Sequence, residues 1–201
     1  MKKILLFTLF LSFSIAANAQ LLLGGQFSIH ASSDESHNAN TTLETSKYAE
    51  IIVLPRLGYI FGDFMAGVDA GFRTTALKTP DFPNGTNETT TAAFQIGPFM
   101  RYTKKPVPNF GIWAEAQVNA AFGQREFNKR KTDETFGLDA GIRPGVIFYV
   151  GKHLSFEASF GQFGFTSTRF TDPDNSDNFQ TENDFGLDLG GTFDFGVNWT
   201  F

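Results

Sequence analysis

The sequence predicts an all-β protein, an eight-stranded antiparallel up-and-down transmembrane β-barrel. Three observations lead to this prediction. Apolar residues alternate with polar residues or glycine along most of the chain, the polar segments between these stretches alternate in length, and 25 Phe and 20 Gly occur among 201 residues. Side chains of a strand point alternately to its two faces, so the alternation predicts sheets with one apolar and one polar face. So much glycine also disfavours helices.

Residues 1–19 are predicted to form a cleaved signal peptide, which leaves residues 20–201 as the barrel domain. Lys2 and Lys3 provide the charged start, an apolar stretch follows, and Ala17-Asn18-Ala19 matches a small-x-small cleavage site. An N-terminal membrane anchor is the alternative, which the short apolar stretch disfavours. Export of a chain without cysteine favours a bacterial envelope over a disulfide-stabilised secreted domain.

Eight strands follow in chain order. The first two, Gln20–His30 and Tyr48–Ile60, alternate less regularly than the others. The remaining six cover residues 64–73, 94–103, 110–122, 136–150, 154–161 and 185–201. Several exceed the average of about five or six residues in soluble sheets and match the roughly 9 to 11 residues that cross a bilayer at a tilt. Pro98 and Pro144 lack a ladder N–H, so bulges are expected there.

The predicted connections alternate between long and short. Polar loops are predicted over residues 31–46, 78–88, 125–132 and 168–183, and turns at 61–63, 104–109 and 151–152. This alternation is typical of outer-membrane barrels, which have extracellular loops and periplasmic turns. The even strand number places both chain ends of the barrel in the periplasm.

The charged residues of the polar faces decide which face looks inward. An up-and-down barrel in water turns its apolar face inward. Here that arrangement would place Phe from nearly every strand in an eight-stranded lumen, which is wide enough only for side chains. An apolar exterior in lipid instead leaves the charges in the lumen. The predicted lumen charge network comprises Glu50, Arg56, Asp69, Arg73, Arg101, Glu115, Asp139, Arg143, Glu157, Asp188 and Asp194.

These charges are expected to pair and plug the lumen, because an unpaired buried charge is costly. A proton or ion path is the alternative interpretation. Outward aromatic residues fall near both ends of the strands, as the two membrane interfaces would select. The formal net charge of −5 disfavours nucleic acid as a partner.

A family resemblance rests on the segment ending in Asn18-Ala19-Gln20, the eight alternating strands and the closing stretch 193–201. Together they resemble small outer-membrane barrels of the OmpA/OmpX type, and especially the PorT-like outer membrane beta-barrel proteins of Bacteroidetes. The resemblance implies localisation in the bacterial outer membrane, with lipid and lipopolysaccharide as its surroundings. It also implies that the barrel-assembly machinery recognises a C-terminal signal formed by Phe195, Val197, Trp199 and Phe201. Phe201 is alternatively just the last lipid-facing residue.

The predicted function is that of a monomeric integral outer-membrane protein with a charge-plugged lumen. Its role would be structural, or would consist of binding or adhesion by the extracellular loops. A narrow pore for water or small ions is the alternative. One loop carries Arg125, Lys129, Arg130 and Lys131, which could contact lipopolysaccharide phosphates or be ordinary surface charge.

Enzymatic activity is not expected. His153-Leu154-Ser155 is similar to the His-x-Ser of a lipid A deacylase, but it is predicted to lie at the periplasmic end and to point inward. No cofactor or metal is expected either. The acidic segment 172–177 lacks the Gly at the sixth position and the Glu at the twelfth that a calcium loop requires.

Overall fold

The structure is a computed structural model that describes residues 20–38, 41–81, 85–173, 175 and 177–201, with only the backbone for 34–38, 41–45 and 188–192. Each strand pairs with the next in an antiparallel ladder, and β1 pairs with β8 to close the ring. The strands are β1 (Gln20–Asn38), β2 (Thr41–Phe61), β3 (Phe64–Asp81), β4 (Gly85–Val107), β5 (Phe110–Phe127), β6 (Arg130–Val150), β7 (Leu154–Thr171) and β8 (Phe179–Thr200). This confirms the predicted eight-stranded barrel. The predicted signal peptide lies outside the described residues.

The two ends of the barrel differ in construction. Short turns join β2 to β3, β4 to β5 and β6 to β7, and this end is called the turn end. The other end, the hairpin end, carries the four hairpins β1–β2, β3–β4, β5–β6 and β7–β8. No helix among the described residues is long and apolar enough to span a membrane.

The hairpins extend the strands far into the segments that were predicted as loops. Lys78 pairs with Glu88 inside the predicted loop 78–88, for example. β5 and β6 are joined by only Asn128 and Lys129, whose φ angles of 50° and 66° fit a type I′ hairpin turn. The loop predictions were therefore wrong in extent. Backbone hydrogen bonds continue the ladder into these segments, although their side chains do not alternate between apolar and polar.

The apolar face looks outward, as predicted. Exposed aromatic side chains form one belt near the turn end: Tyr59, Phe64, Tyr102, Phe148, Trp199 and Phe201. A second belt near the hairpin end contains Phe72, Phe94, Phe122, Phe136, Phe160 and Phe185. Neighbouring rings of one belt touch across strands, as Phe64 and Tyr102 do at a centroid distance of 5.1 Å. A barrel with an inward apolar core is thereby excluded.

The two prolines behave differently from one another. The pairs Ile96–Ala120 and Phe99–Gln117 keep one register across Pro98, so the predicted bulge is absent there. The pairing between β4 and β5 is interrupted at the outward-facing Pro98 and resumes at Phe99. At Pro144 the register between β6 and β7 does shift, and the extra residue lies on β7 near Gly161, whose φ is 71°.

Candidate functional site

An ion-pair plug fills the lumen on the turn-end side. One residue from each of β2 to β8 contributes to it: Arg56, Asp69, Arg101, Glu115, Arg143, Glu157 and Asp194. All seven belong to the predicted lumen network and occupy inward positions of the strand alternation. Arg101 and Glu115 are fully buried, with 0% of their surface exposed.

Glu115 is the centre of the plug because three guanidinium groups converge on its carboxylate. Arg56 Nη1 and Arg101 Nε each donate to Glu115 Oε2 at 2.8 Å. Arg143 Nη2 donates to Glu115 Oε1 at 2.5 Å. A carboxylate offers about four lone-pair sites, so one Glu can serve three arginines.

The other three carboxylates of the plug are also hydrogen-bonded. Asp69 receives a bidentate pair from Arg56, with both N–O distances at 2.7 Å. Glu157 accepts from Arg101, from Gln26 at 3.0 Å and from Asn198 at 2.8 Å. Asp194 accepts from Ser159 at 2.8 Å and from Arg143 at 3.4 Å. These bonds offset the cost of burying the charges.

Two aromatic rings support the arginines from below. Arg56 Cζ lies 3.9 Å from the ring centroid of Phe99, and Arg101 Cζ lies 3.9 Å from that of Trp113. A Cβ at Gly145 would come within 2.1 Å of the Trp113 ring, so glycine there lets the ring lie against the wall. Sequence reasoning missed both rings. Their position on the polar faces of the strands that carry Arg101 and Glu115 was the available signal.

A cavity of about 660 Å³, the vestibule, lies above the plug and opens at the hairpin end. It is lined by His30, Tyr48, Glu50, Arg73, Asp139, Gln162, Gly164, Thr166, Asp184, Gly186 and Leu187. Arg73 Nε donates to Glu50 Oε1 at 2.6 Å. The predicted network is thus divided between two levels. The side chain of its remaining member, Asp188, lies outside the described residues.

Asp139, another carboxylate of the vestibule, makes no ion pair within 4.0 Å among the described side chains, although the charge of Arg73 acts on it electrostatically. It accepts hydrogen bonds from Gln162 Nε2 at 3.1 Å, from Thr166 Oγ1 at 3.0 Å and from Gln117 Nε2 at 3.4 Å.

Tyr48 lies above the apolar band. The pKa of its phenol is raised, mainly by burial and secondly by the nearby Glu50 carboxylate.

The four predicted basic residues do not form one surface. Arg125 takes an inward position, where its Cζ lies 3.6 Å from the ring centroid of the buried Phe170. Lys131 pairs with Glu134 at 2.8 Å. Lys129 and Arg130 remain exposed at the β5–β6 hairpin tip. The strand alternation continues to Arg125 and turns it away from the hairpin surface.

The C-terminal residues and His153 meet at the turn end. Phe195, Val197, Trp199 and Phe201 all face outward and are exposed. The Phe201 N–H donates to the Leu21 carbonyl at 2.9 Å. His153 Nδ1 lies 2.7 Å from the Thr200 carbonyl oxygen and its ring stacks on Trp199, whereas Ser155 is buried on the inner face. Both residues line a cavity of about 180 Å³ at the turn end, and the His153 ring is held by Thr200 and Trp199.

Comparison with solved structures finds outer membrane proteins. OprG, an outer membrane protein from Pseudomonas aeruginosa, is 12% identical with a TM-score of 0.50 over 91% of this chain and 95% of its own. The chain thus has the fold of an outer-membrane β-barrel. Neisserial surface protein A is 14% identical, with a TM-score of 0.47 over 92% of this chain and 99% of its own. A major outer membrane protein from Thermus thermophilus is 10% identical, with a TM-score of 0.45 over 92% of this chain and 100% of its own. No family model and no curated protein matches the chain.

Proposed function

We propose that the chain is an integral protein of the bacterial outer membrane, exported by a cleaved signal peptide at residues 1–19. Its hairpin end faces the cell exterior and its turn end the periplasm. The apolar exterior with an aromatic belt at each end supports this placement, because lipid selects that pattern. We also place the chain with small barrels of the OmpA/OmpX type and the PorT-like proteins. The barrel-assembly machinery then inserts it by recognising Phe195, Val197, Trp199 and Phe201.

The barrel acts as a closed, monomeric and non-enzymatic surface protein, whose role is binding at the hairpin end. The ion-pair plug is the observation that supports this function. One residue from each of seven strands closes the lumen, and an ion would have to break several buried charge pairs to pass. The hairpin end, by contrast, offers an open vestibule and long exposed hairpins.

Single-channel recording in a planar bilayer tests the closed lumen. We expect no conductance steps from purified, folded protein. An unboiled gel of the same sample, on which a folded barrel migrates differently from the boiled chain, controls for loss of folding. Steady discrete steps from folded protein would contradict the proposal and favour a narrow pore.

The hairpin tip between β5 and β6 is proposed to contact lipopolysaccharide. Lys129 and Arg130 are exposed there, beyond the aromatic belt of the hairpin end. Cationic side chains at this level meet phosphate groups as point charges or bidentate donors. Arg125 is not part of this contact because it packs on Phe170.

A further inference from the structure

The seam that closes the barrel is short. β1 and β8 pair only from Leu22–Thr200 to Ser28–Asp194. Both strands continue beyond this point toward the hairpin end. There β1 pairs with β2 as far as Asn38, and β8 pairs with β7 as far as Phe179. Among the described residues, the edges of β1 and β8 above the seam therefore face each other without a shared ladder. We refer to this gap as the lateral opening.

The lateral opening begins at the aromatic belt of the hairpin end. Phe193 is the first β8 residue above the seam that does not pair with β1. On its other side it pairs with Phe160 of β7, which belongs to the belt at the hairpin end. Immediately above, residues 189–192 leave the ladder with β7 before Asp188 rejoins it opposite Gln162. In the proposed orientation this level is the boundary between the head groups and acyl chains of the outer leaflet.

Unpaired strand edges at membrane depth need polar partners. Backbone N–H and C=O groups that face hydrocarbon without a hydrogen bond are costly, so such edges occur only where they line a polar or water-filled cavity. The vestibule is such a cavity and reaches both edges, since its lining includes His30 on β1 and Asp184 on β8. It also includes Leu187, which pairs with the outward-facing Phe163. The cavity thus extends around the β8 edge to the apolar exterior.

The apolar surface beside the lateral opening is exposed on both strands. Ile29 on β1 is 60% exposed, and Leu187 and Phe193 on β8 are 61% and 63% exposed. An aliphatic chain in the outer leaflet can lie against these side chains while a polar group at its end reaches the vestibule.

The vestibule is acidic, and a buried side chain in the smaller cavity beneath it has unused hydrogen-bonding capacity. Glu50 forms an ion pair with Arg73, whose charge also acts on Asp139 at longer range, so the two carboxylates share one cation. The described hydrogen bonds to Asp139 come from neutral donors, and Asp184 adds a further carboxylate. A smaller cavity of about 100 Å³ continues downward and shares Asp139 with the vestibule. Ser28 lines it, is 3% exposed, and its Oγ contacts no hydrogen-bond partner among the described residues.

We propose that the vestibule binds the head group of an outer-leaflet amphiphile that carries a primary ammonium, admitted through the lateral opening between β1 and β8. The ammonium provides three donors, which match the carboxylates of Asp139 and Asp184. The aliphatic chain stays in the membrane against Ile29, Leu187 and Phe193. The inference rests on the proposed membrane placement and names the ligand class of the proposed binding role.

Photolabelling in lipid nanodiscs tests this proposal. The probes are hexadecylamine and hexadecanoate, each with a diazirine close to the head group, and mass spectrometry locates the adducts. We expect the amine probe to label the peptides that contain Ile29, Leu187 and Phe193, and the carboxylate probe to label the barrel without this preference. Asp139→Asn and Asp184→Asn should each reduce amine labelling at these peptides by about tenfold, because a charge-assisted hydrogen bond is lost.

The matched control is Glu134→Gln, which removes a carboxylate from the same strand as Asp139 but on the exposed face, and labelling should not change. Propylamine, which has no long chain, should compete only weakly. Uniform labelling by the amine probe, insensitivity to Asp139→Asn and Asp184→Asn, or competition by propylamine equal to that by unlabelled hexadecylamine would each overturn lateral docking. If the migration of unboiled protein from the nanodiscs shows no folded barrel, the membrane placement fails as well.

Discussion

The guanidinium of Arg101 lies over the indole ring of Trp113, with its Cζ 3.9 Å from the ring centroid. The same group donates hydrogen bonds to Glu115 at 2.8 Å and to Glu157. Arg101 thus combines a cation–π contact with charge-assisted hydrogen bonds to two strands. Trp113 in turn rests against Gly145, so wall, ring and guanidinium form three layers across the lumen.

Gly145→Ala is expected to destabilise the barrel by about 1–3 kcal/mol, as overpacking of a tight interior does. The new Cβ would lie 2.1 Å from Trp113 Cζ2 and 2.5 Å from the Ala158 carbonyl oxygen. Urea unfolding in lipid vesicles, followed by tryptophan fluorescence, measures the change. Gly186→Ala is the control, because nothing lies within 4 Å of its Cβ position. Equal unfolding free energies for the two variants would contradict the layered packing.

Glu115→Gln should cost about 3–5 kcal/mol of unfolding free energy, since it removes the shared partner of three buried arginines. The same urea titration applies. Glu134→Gln makes the same chemical change at an exposed site and should stay within about 0.5 kcal/mol of the wild type. A loss for Glu115→Gln as small as that of the control would show that Glu115 is not the centre of the plug.

Removing the plug should open the lumen. The double variant Arg56→Ala with Glu115→Ala deletes the two side chains that join most of the plug, and we expect discrete conductance steps where the wild type is silent. Arg73→Ala is the control, because Arg73 pairs with Glu50 in the vestibule above the plug. Silence from a folded double variant would mean that other side chains, such as Phe99 and Trp113, suffice to close the lumen.

Deletion of Phe201 tests the assembly signal. If the barrel-assembly machinery reads this residue, the fraction of folded barrel in cell envelopes should fall several-fold, while purified protein still refolds in detergent. Phe185→Ala removes another outward and exposed aromatic residue and should leave assembly in cells unchanged. Equal effects of the two changes would indicate that Phe201 is simply a lipid-facing residue.

Substitution of the hairpin tip tests contact with lipopolysaccharide. Lys129→Gln with Arg130→Gln should weaken binding of the purified protein to lipopolysaccharide vesicles, most clearly at low ionic strength where charges are least screened. Co-sedimentation measures the binding. Lys104→Gln with Lys152→Gln, at the turn end, is the charge-matched control. If both double variants bind equally, the tip carries ordinary surface charge.

Much of the fold was predictable because alternation is a local property of a strand. Each residue's place in the alternation decides whether it faces outward or into the lumen, so the outward belts and the inward position of residues such as Arg56 and Glu115 were both available from the chain. The eight strands and their turn positions followed from the same pattern. The ends of the strands were not predictable, because near the hairpins the ladder continues through cross-strand backbone hydrogen bonds without an alternation of side-chain polarity.

Which charges meet across the lumen was decided only by the tertiary structure. Arg56, Arg101 and Arg143 lie on different strands, and the closure and register of the barrel bring all three to Glu115. The rings beneath them, the inward turn of Arg125 and the short β1–β8 seam depend likewise on contacts between distant parts of the chain. Local sequence determines the face on which a side chain lies, whereas its partner is set by the register of the strands and the closure of the sheet.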